Sequence, residues 1–431
     1  MENKFPVWYD GKQINEVEFC KEFLIEKPLR CVGNRLYSVD GTVSDNKIAG
    51  EIYNKLSGFV TSNIAKKSEN ILKALKYQCR CDGFTAKEDE IHLLNGVLKT
   101  DGTFIEGKQF CTNRLNIEYR PNENKPEKFL KFLSEMFESY DILTLQEFLG
   151  YCLIPSTKGQ AALFIIGNGG EGKSCIGYVL HEIFQNALIE GSFQRIETDK
   201  FFPYNLQDKL IMLDDDMQMN ALTSTGLIKN LITSKVPITV EAKGQQASQA
   251  KIYARFICFG NGLPKALYDK SDGFARRLII LTTKPVPPER IPDPNITDKF
   301  ISEKNQIFAW IFEGLQRLIS NNFRFTVSEK TKRNIADVMS ENCNIIDFLA
   351  DESYVTFGAD IKTSSTELYG GYFQWCSMNG LTALKSDSFT KWLKENAEKY
   401  KIKYDYNVVN REGRRVRGFK GIKTCYVSIV T

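Results

Sequence analysis

The hydrophobic pattern of this chain changes period several times. Ala161-Ala162-Leu163-Phe164-Ile165-Ile166 is an unbroken apolar run, as expected of a parallel strand buried on both faces. Lys209–Leu213 and Ala254–Gly260 repeat that signature, and Leu278–Leu281 adds another run. Between the runs the spacing becomes helical, as from Cys175 through Leu180 to Ile183-Phe184. This alternation over residues 161–283 predicts an α/β core with a parallel sheet.

Flanking segments read differently. Val7–Asp10 and Arg35–Val39 predict short strands, residues 65–78 an amphipathic helix, and Ile91–Leu98 strand with an Asn-Gly turn. Phe129, Phe132, Leu133 and Phe137, then Leu145, Phe148, Leu149 and Cys152, predict two helices over 127–153. Phe300, Ile307, Trp310, Ile311 and Leu315 predict one helix over 298–320. Val236–Lys251 reads as a hairpin with Lys243-Gly244 near its tip. Further on, Glu367–Cys376 predicts a helix, and Ser386-Asp387-Ser388 can cap another. Strands follow at Tyr404–Val409 and Thr424–Val430, with basic residues Asn410–Lys423 between them. Helix, helix, strand, basic loop, strand is similar to a winged helix.

Two breaks divide the chain. One is the polar stretch Arg120–Pro126; the other is residues 285–294, which hold five of the 13 prolines. The expected domains are an α-rich N-terminal domain with short strands (1–125), the α/β core (126–322) and the winged-helix-like segment (323–431).

With 42% apolar and 26% charged residues, the composition is that of an ordinary globular protein. No run is long enough to cross a membrane, and Met1–Asp10 lacks the basic and apolar regions of a signal peptide. The 11 cysteines are scattered without a C-x-x-C, and the histidines are only His92 and His181. A zinc site is therefore not expected, and reduced thiols in a cytoplasm are. His92 reads as structural. Net charge is only +4, so nucleic-acid binding would need local patches. From Lys391 onward, 11 basic side chains face 4 acidic ones, and Arg414, Arg415 and Arg417 are the candidate DNA contacts.

The chemistry centres on Gly167-Asn168-Gly169-Gly170-Glu171-Gly172-Lys173-Ser174, which fits G-x-x-x-x-G-K-[ST] without a mismatch. Backbone N–H groups at a helix start can cradle phosphates, provided that side chains keep clear. Lys173 supplies a charge for the β and γ phosphates of ATP, and the Ser174 hydroxyl suits Mg²⁺. About 40 residues on, the strand Lys209–Leu213 ends in Asp214-Asp215-Asp216. Carboxylates at such a strand end hold a metal and orient water. Asp214 is assigned to the metal and Asp215 to the water, with exchange of the two left open and Asp216 spare. Asn261, ending the next strand, is placed to sense the γ-phosphate. Arg276-Arg277 lead into an apolar strand, an awkward place for arginine without a phosphate or carboxylate partner.

In this order the motifs resemble superfamily 3 helicases, specifically the poxvirus and phage/plasmid primase-type group of AAA+ ATPases. The resemblance covers roughly residues 85–431. Leu94–Leu98 with Thr112–Leu115 looks like the helical domain preceding the ATPase. Gly167–Ser174 matches the A motif, Leu210–Asp215 the B motif and Phe256–Pro264 motif C. Asp215 stands where many relatives carry Glu. The resemblance implies that Lys243 contacts single-stranded DNA in a channel and that Arg276-Arg277 supply an arginine finger, with Arg277 the better fit and Arg276 the alternative. It implies an ATP- and Mg²⁺-dependent replicative DNA helicase of a phage, plasmid or other mobile element, assembled as a ring, a hexamer. Further partners would be duplex or origin DNA and a separate primase or polymerase, with no membrane. Residues upstream are too few for a primase module, so priming is not expected. The alternative function is an ATP-regulated origin-binding initiator that recruits another helicase.

Overall fold

A computed structural model describes residues 5–84, 86–217, 225–244, 246–261, 274, 276–289, 293–341, 344–381, 383–410 and 412–425. The chain divides into a first compact unit ending at Asn334 and a second beginning at Ile335.

The first unit opens with α1 (Glu16–Glu26), the antiparallel strands β1 (Arg30–Val32), β2 (Arg35–Ser38) and β3 (Gly41–Val43), then α2 (Asp45–Ser57) and α3 (Ile64–Gln78). Trp8, Phe19, Phe23, Ile48, Ile52, Ile71 and Leu75 close a core of their own. Val7–Asp10, expected as a strand, makes only an isolated bridge from Tyr9 to Ile14. Next come β4 (Glu90–His92), β5 (Gly96–Lys99) and β6 (Phe104–Glu106), antiparallel, and helices α4 (Glu127–Met136) and α5 (Ser139–Tyr151). Ile91, Leu93, Leu98, Leu115 and Ile117 pack into the same core as the central sheet. His92 is structural in this setting: burial above all, with Arg114 nearby, drops its imidazole to about 4.

The central sheet is wholly parallel, in the order β13-β7-β12-β9-β8. Its strands are β7 (Ala162–Gly167), β8 (Leu188–Glu190), β9 (Ile211–Asp214), β12 (Arg255–Asn261) and β13 (Leu278–Thr282). Helices α6 (Lys173–Phe184), α7 (Arg195–Thr198) and α8 (Gly226–Thr233) lie between strands in sequence, and β10 (Ile238–Val240) pairs with β11 (Ser248–Ala250) as the expected hairpin. All six residues of β7 are buried, which explains its unbroken apolar run.

After β13 come α9 (Ile296–Ser302), α10 (Lys304–Ser320) and α11 (Glu329–Glu341). The single helix expected over 298–320 is broken at Glu303. The Glu303 carboxylate accepts from the N–H groups of Lys128 and Phe129, 3.2 and 3.1 Å away, and so caps α4. Helices α5 and α10 touch through their backbones. A Cβ on Gly150 would lie 2.4 Å from Leu315 N, and one on Gly314 would lie 2.3 Å from Gln146 O.

The second unit contains α12 (Asn344–Ala350), β14 (Val355–Ser364), α13 (Ser365–Met378), α14 (Ser386–Glu395), β15 (Lys403–Val409) and β16 (Arg415–Thr424). Its antiparallel sheet runs β14-β16-β15. Two expectations are corrected here. Among the described residues the last strand is Arg415–Thr424, almost wholly inside the segment read as a basic loop, and residues 426–431, most of the strand expected at Thr424–Val430, lie outside the described residues. Ser386 does not cap α14, whose cap position is Lys385 without a side-chain bond. The capping box belongs instead to Ser364 and Glu367 at α13.

Candidate functional site

The chain leaves β7 at Gly167 and enters α6 at Lys173. Gly169, Gly170 and Gly172 hold φ of 102°, 82° and 99°, values at which side chains are strained, so the turn needs glycine there. The five strands end on one side of the sheet, and the crevice opens where β7 has neighbours, β12 and β13, from both directions of the winding. There Gly169–Ser174, Asp215, Asp216, Gly260 and Asn261 line one cavity of about 400 Å³. Three separate sequence motifs therefore meet at one place.

Electrostatics within the loop are unusual. Glu171 is only 3% exposed. Its carboxylate accepts from the N–H groups of Asn168 and Gly169, the latter at 2.9 Å, and from Lys173 Nζ at 2.8 Å. Burial pushes this carboxyl up, but the Lys173 bond and the backbone N–H groups outweigh it and hold it below the usual range. Lys173 Nζ also donates to Asn261 Oδ1 at 3.2 Å, joining the loop to the end of β12.

Asp214 is buried, and its Oδ2 accepts from Phe193 N at 2.6 Å. Burial, aided by Asp216 and Asp215, raises its carboxyl above the usual range against that hydrogen bond. Asp215 and Asp216 are exposed into the cavity. With the Ser174 hydroxyl they form a hard-oxygen donor set of the kind that suits Mg²⁺. Among the described residues no group of three or more His, Cys, Asp or Glu could hold a metal alone.

Arg277 stands elsewhere. It precedes β13, and its carbonyl accepts from Ala162 N at 2.8 Å, at the start of β7. Gly167 closes the same strand, so by strand rise the two ends are roughly 16–17 Å apart. Arg276 is exposed and Arg277 half-buried. Lys243 is exposed at the tip of the β10–β11 hairpin, beside Gly244 at φ 76°. Arg414 sits in the β15–β16 turn, 3.4 Å from Glu412, and Arg415 and Arg417 are exposed on β16. Residues 262–264 of the third motif lie outside the described residues.

Sequence reasoning placed Glu171 in the loop but gave its side chain no role. The acid next to Gly172-Lys173 was the available signal. It also missed Arg255, buried, stacked 4.1 Å over Tyr151 and donating to Ile154 O at 3.0 Å, which ties β12 to the end of α5.

Among the described residues no helix is long and apolar enough to cross a membrane. No curated protein matches the chain. Residues 165–277 match a family of unknown function, DUF5906, and residues 340–420 match the family described as Poxvirus D5 protein-like. Among solved structures, the chain is similar to an apo structure of the NrS-1 C-terminal region (305–718). That match has a TM-score of 0.56 at 15% identity, over 94% of this chain and 99% of that one. The A form of the same region gives 0.53 at 14% identity with the same coverage. The fold is therefore shared with the NrS-1 C-terminal region, while its second unit carries the Poxvirus D5 protein-like signature.

Proposed function

We propose that the protein is a replication-related ATPase of the AAA+ superfamily 3 type, working as a ring-shaped DNA helicase of a phage, plasmid or other mobile element. The observation that carries this is the cavity in which Lys173, Ser174, Asp215 and Asn261 converge. The Poxvirus D5 protein-like match supports the replication setting. In the second unit, helix, strand, two helices and a hairpin, with β16 between β14 and β15, support the winged-helix reading of 323–431.

The reaction is transfer of the ATP γ-phosphoryl to water. Loop N–H groups from Gly169 onward and Lys173 bind the phosphates. Ser174 and Asp215 would hold Mg²⁺, which would neutralise phosphate charge when bound. Facing the cavity favours Asp215 for this contact, the exchanged assignment, with Asp214 fixing the strand end through Phe193. Asn261 orients the attacking water, and Asp216 lies beside it. Arg277 is too far from its own Gly167 to serve the same site, so a neighbouring copy supplies it and stabilises developing charge. Lys243 moves with nucleotide state and draws DNA by its phosphates, and the hairpin arginines contact duplex.

A strand-displacement assay with 3′- and 5′-tailed substrates tests the motor. Lys243→Ala is expected to leave ATP hydrolysis but abolish displacement. ATP-dependent binding to one sequence without any displacement would instead identify an origin-binding initiator.

A further inference from the structure

The pairing of β14, β16 and β15 puts three lysines abreast. Lys362 is opposite Lys420, and Lys403 is opposite Lys420 from the other side. Directly opposed residues share a face, with Cβ atoms about 5 Å apart, and like charges so placed repel. A carboxylate is interposed: Asp405 Oδ2 lies 2.9 Å from Lys420 Nζ. The Lys420 bond above all, then the Asn407 N–H and more weakly Lys362, holds that carboxyl below the usual range. Lys362 and Lys403 are exposed and form no ion pair among the described residues.

The strand is built to keep this face basic. Phe419 and Ile422 are both fully buried, three positions apart, so the alternation resets between them. Gly421 does this at φ 93°. As a result Lys420 and Lys423 both turn away from the core, and Lys423 is exposed. Arg415 and Arg417 alternate to the opposite face of β16, that of Phe419.

We propose that the face formed by Lys362, Lys403, Lys420 and Lys423 binds the phosphodiester backbone of nucleic acid, as a surface separate from the hairpin arginines. This deepens the nucleic-acid reading above and rests on it. Opposed lysines gain most from a ligand that presents several negative charges in a row, and a phosphate backbone does so. Lysine is a flexible point charge and does not read base edges, so contact here positions the polymer without choosing a sequence.

The test uses the full chain and a labelled random-sequence oligonucleotide, as duplex and as single strand, with anisotropy measured across a salt series. Each lost phosphate contact lowers the slope of log K against log salt by about 0.9 for duplex. Lys362→Ala with Lys403→Ala should weaken binding roughly tenfold at about 0.1 M salt and flatten the slope by up to about 2. Asp405→Asn should strengthen binding severalfold, and a folding defect could not do that. Unchanged affinity in both variants, with loss only on Arg414→Ala/Arg415→Ala/Arg417→Ala, overturns this surface but leaves the helicase reading intact. Loss of binding to phosphatidylserine vesicles without loss on nucleic acid also overturns it. No binding of the unaltered chain to either oligonucleotide fails the functional reading itself.

Discussion

Replacing Glu171 with glutamine separates the shape of the phosphate loop from its charge. The glutamine side chain keeps an oxygen for the N–H groups of Asn168 and Gly169, but its amide nitrogen cannot accept from Lys173. A bound phosphate oxygen would approach Lys173 Nζ to about 3 Å, which leaves the Glu171 carboxylate roughly 5–6 Å from that phosphate charge. Two unit charges at that separation repel by about 3 kcal/mol at an effective dielectric near 20. Part of this is offset, because Glu171 also orders Lys173. If half survives, Glu171→Gln gains about 1.4 kcal/mol, a tenfold tighter nucleotide affinity. Titration with a fluorescent ATP analogue and with its ADP counterpart reads this directly. Equal or weaker affinity in a variant that melts at the unaltered temperature would refute the idea that this buried acid competes with phosphate.

Lys173→Ala should abolish detectable hydrolysis, measured as phosphate release, since the loop then lacks its only lysine. Gly150→Ala drives a Cβ to 2.4 Å from Leu315 N, and overpacking of that kind costs about 1–3 kcal/mol or more. A calorimetric midpoint lower by several degrees is expected, and an unchanged one would contradict the α5–α10 contact. His92 stays neutral when folded down to about 4, whereas an unfolded histidine takes its proton near 6.5. The unfolded state therefore binds more protons between those values, and stability falls as pH drops from about 6.5 towards 4. His92→Gln should flatten that part of a denaturation profile.

How legible the chain was depended on what each residue type was being used for. β7 and β12 are buried along almost their whole length, so their apolar runs had one reading. The turn from β7 into α6 was legible because its geometry leaves glycine few substitutes. β16 was hidden because its glycines imitate turn signals. Gly418 is there because a Cβ would meet Thr363 O at 2.2 Å, and Gly421 because its φ of 93° strains any other side chain. β14 was hidden because Val355–Ser364 carries Gly, Ala and Asp and buries only its ends. No local rule linked Glu303 to the start of α4, or Arg255 to Tyr151. Those pairs are 100 or more residues apart and exist only after folding.

Under the ring mechanism proposed above, the distance between Arg277 and its own glycine loop has a genetic consequence. A Lys173→Ala subunit would be a poor motor but a sound donor of arginine, and an Arg277→Ala subunit the reverse. Mixing two inactive preparations should then restore turnover at the seams where an intact loop meets an intact arginine. In a cell, a single defective allele would poison assemblies in proportion to its share of the pool.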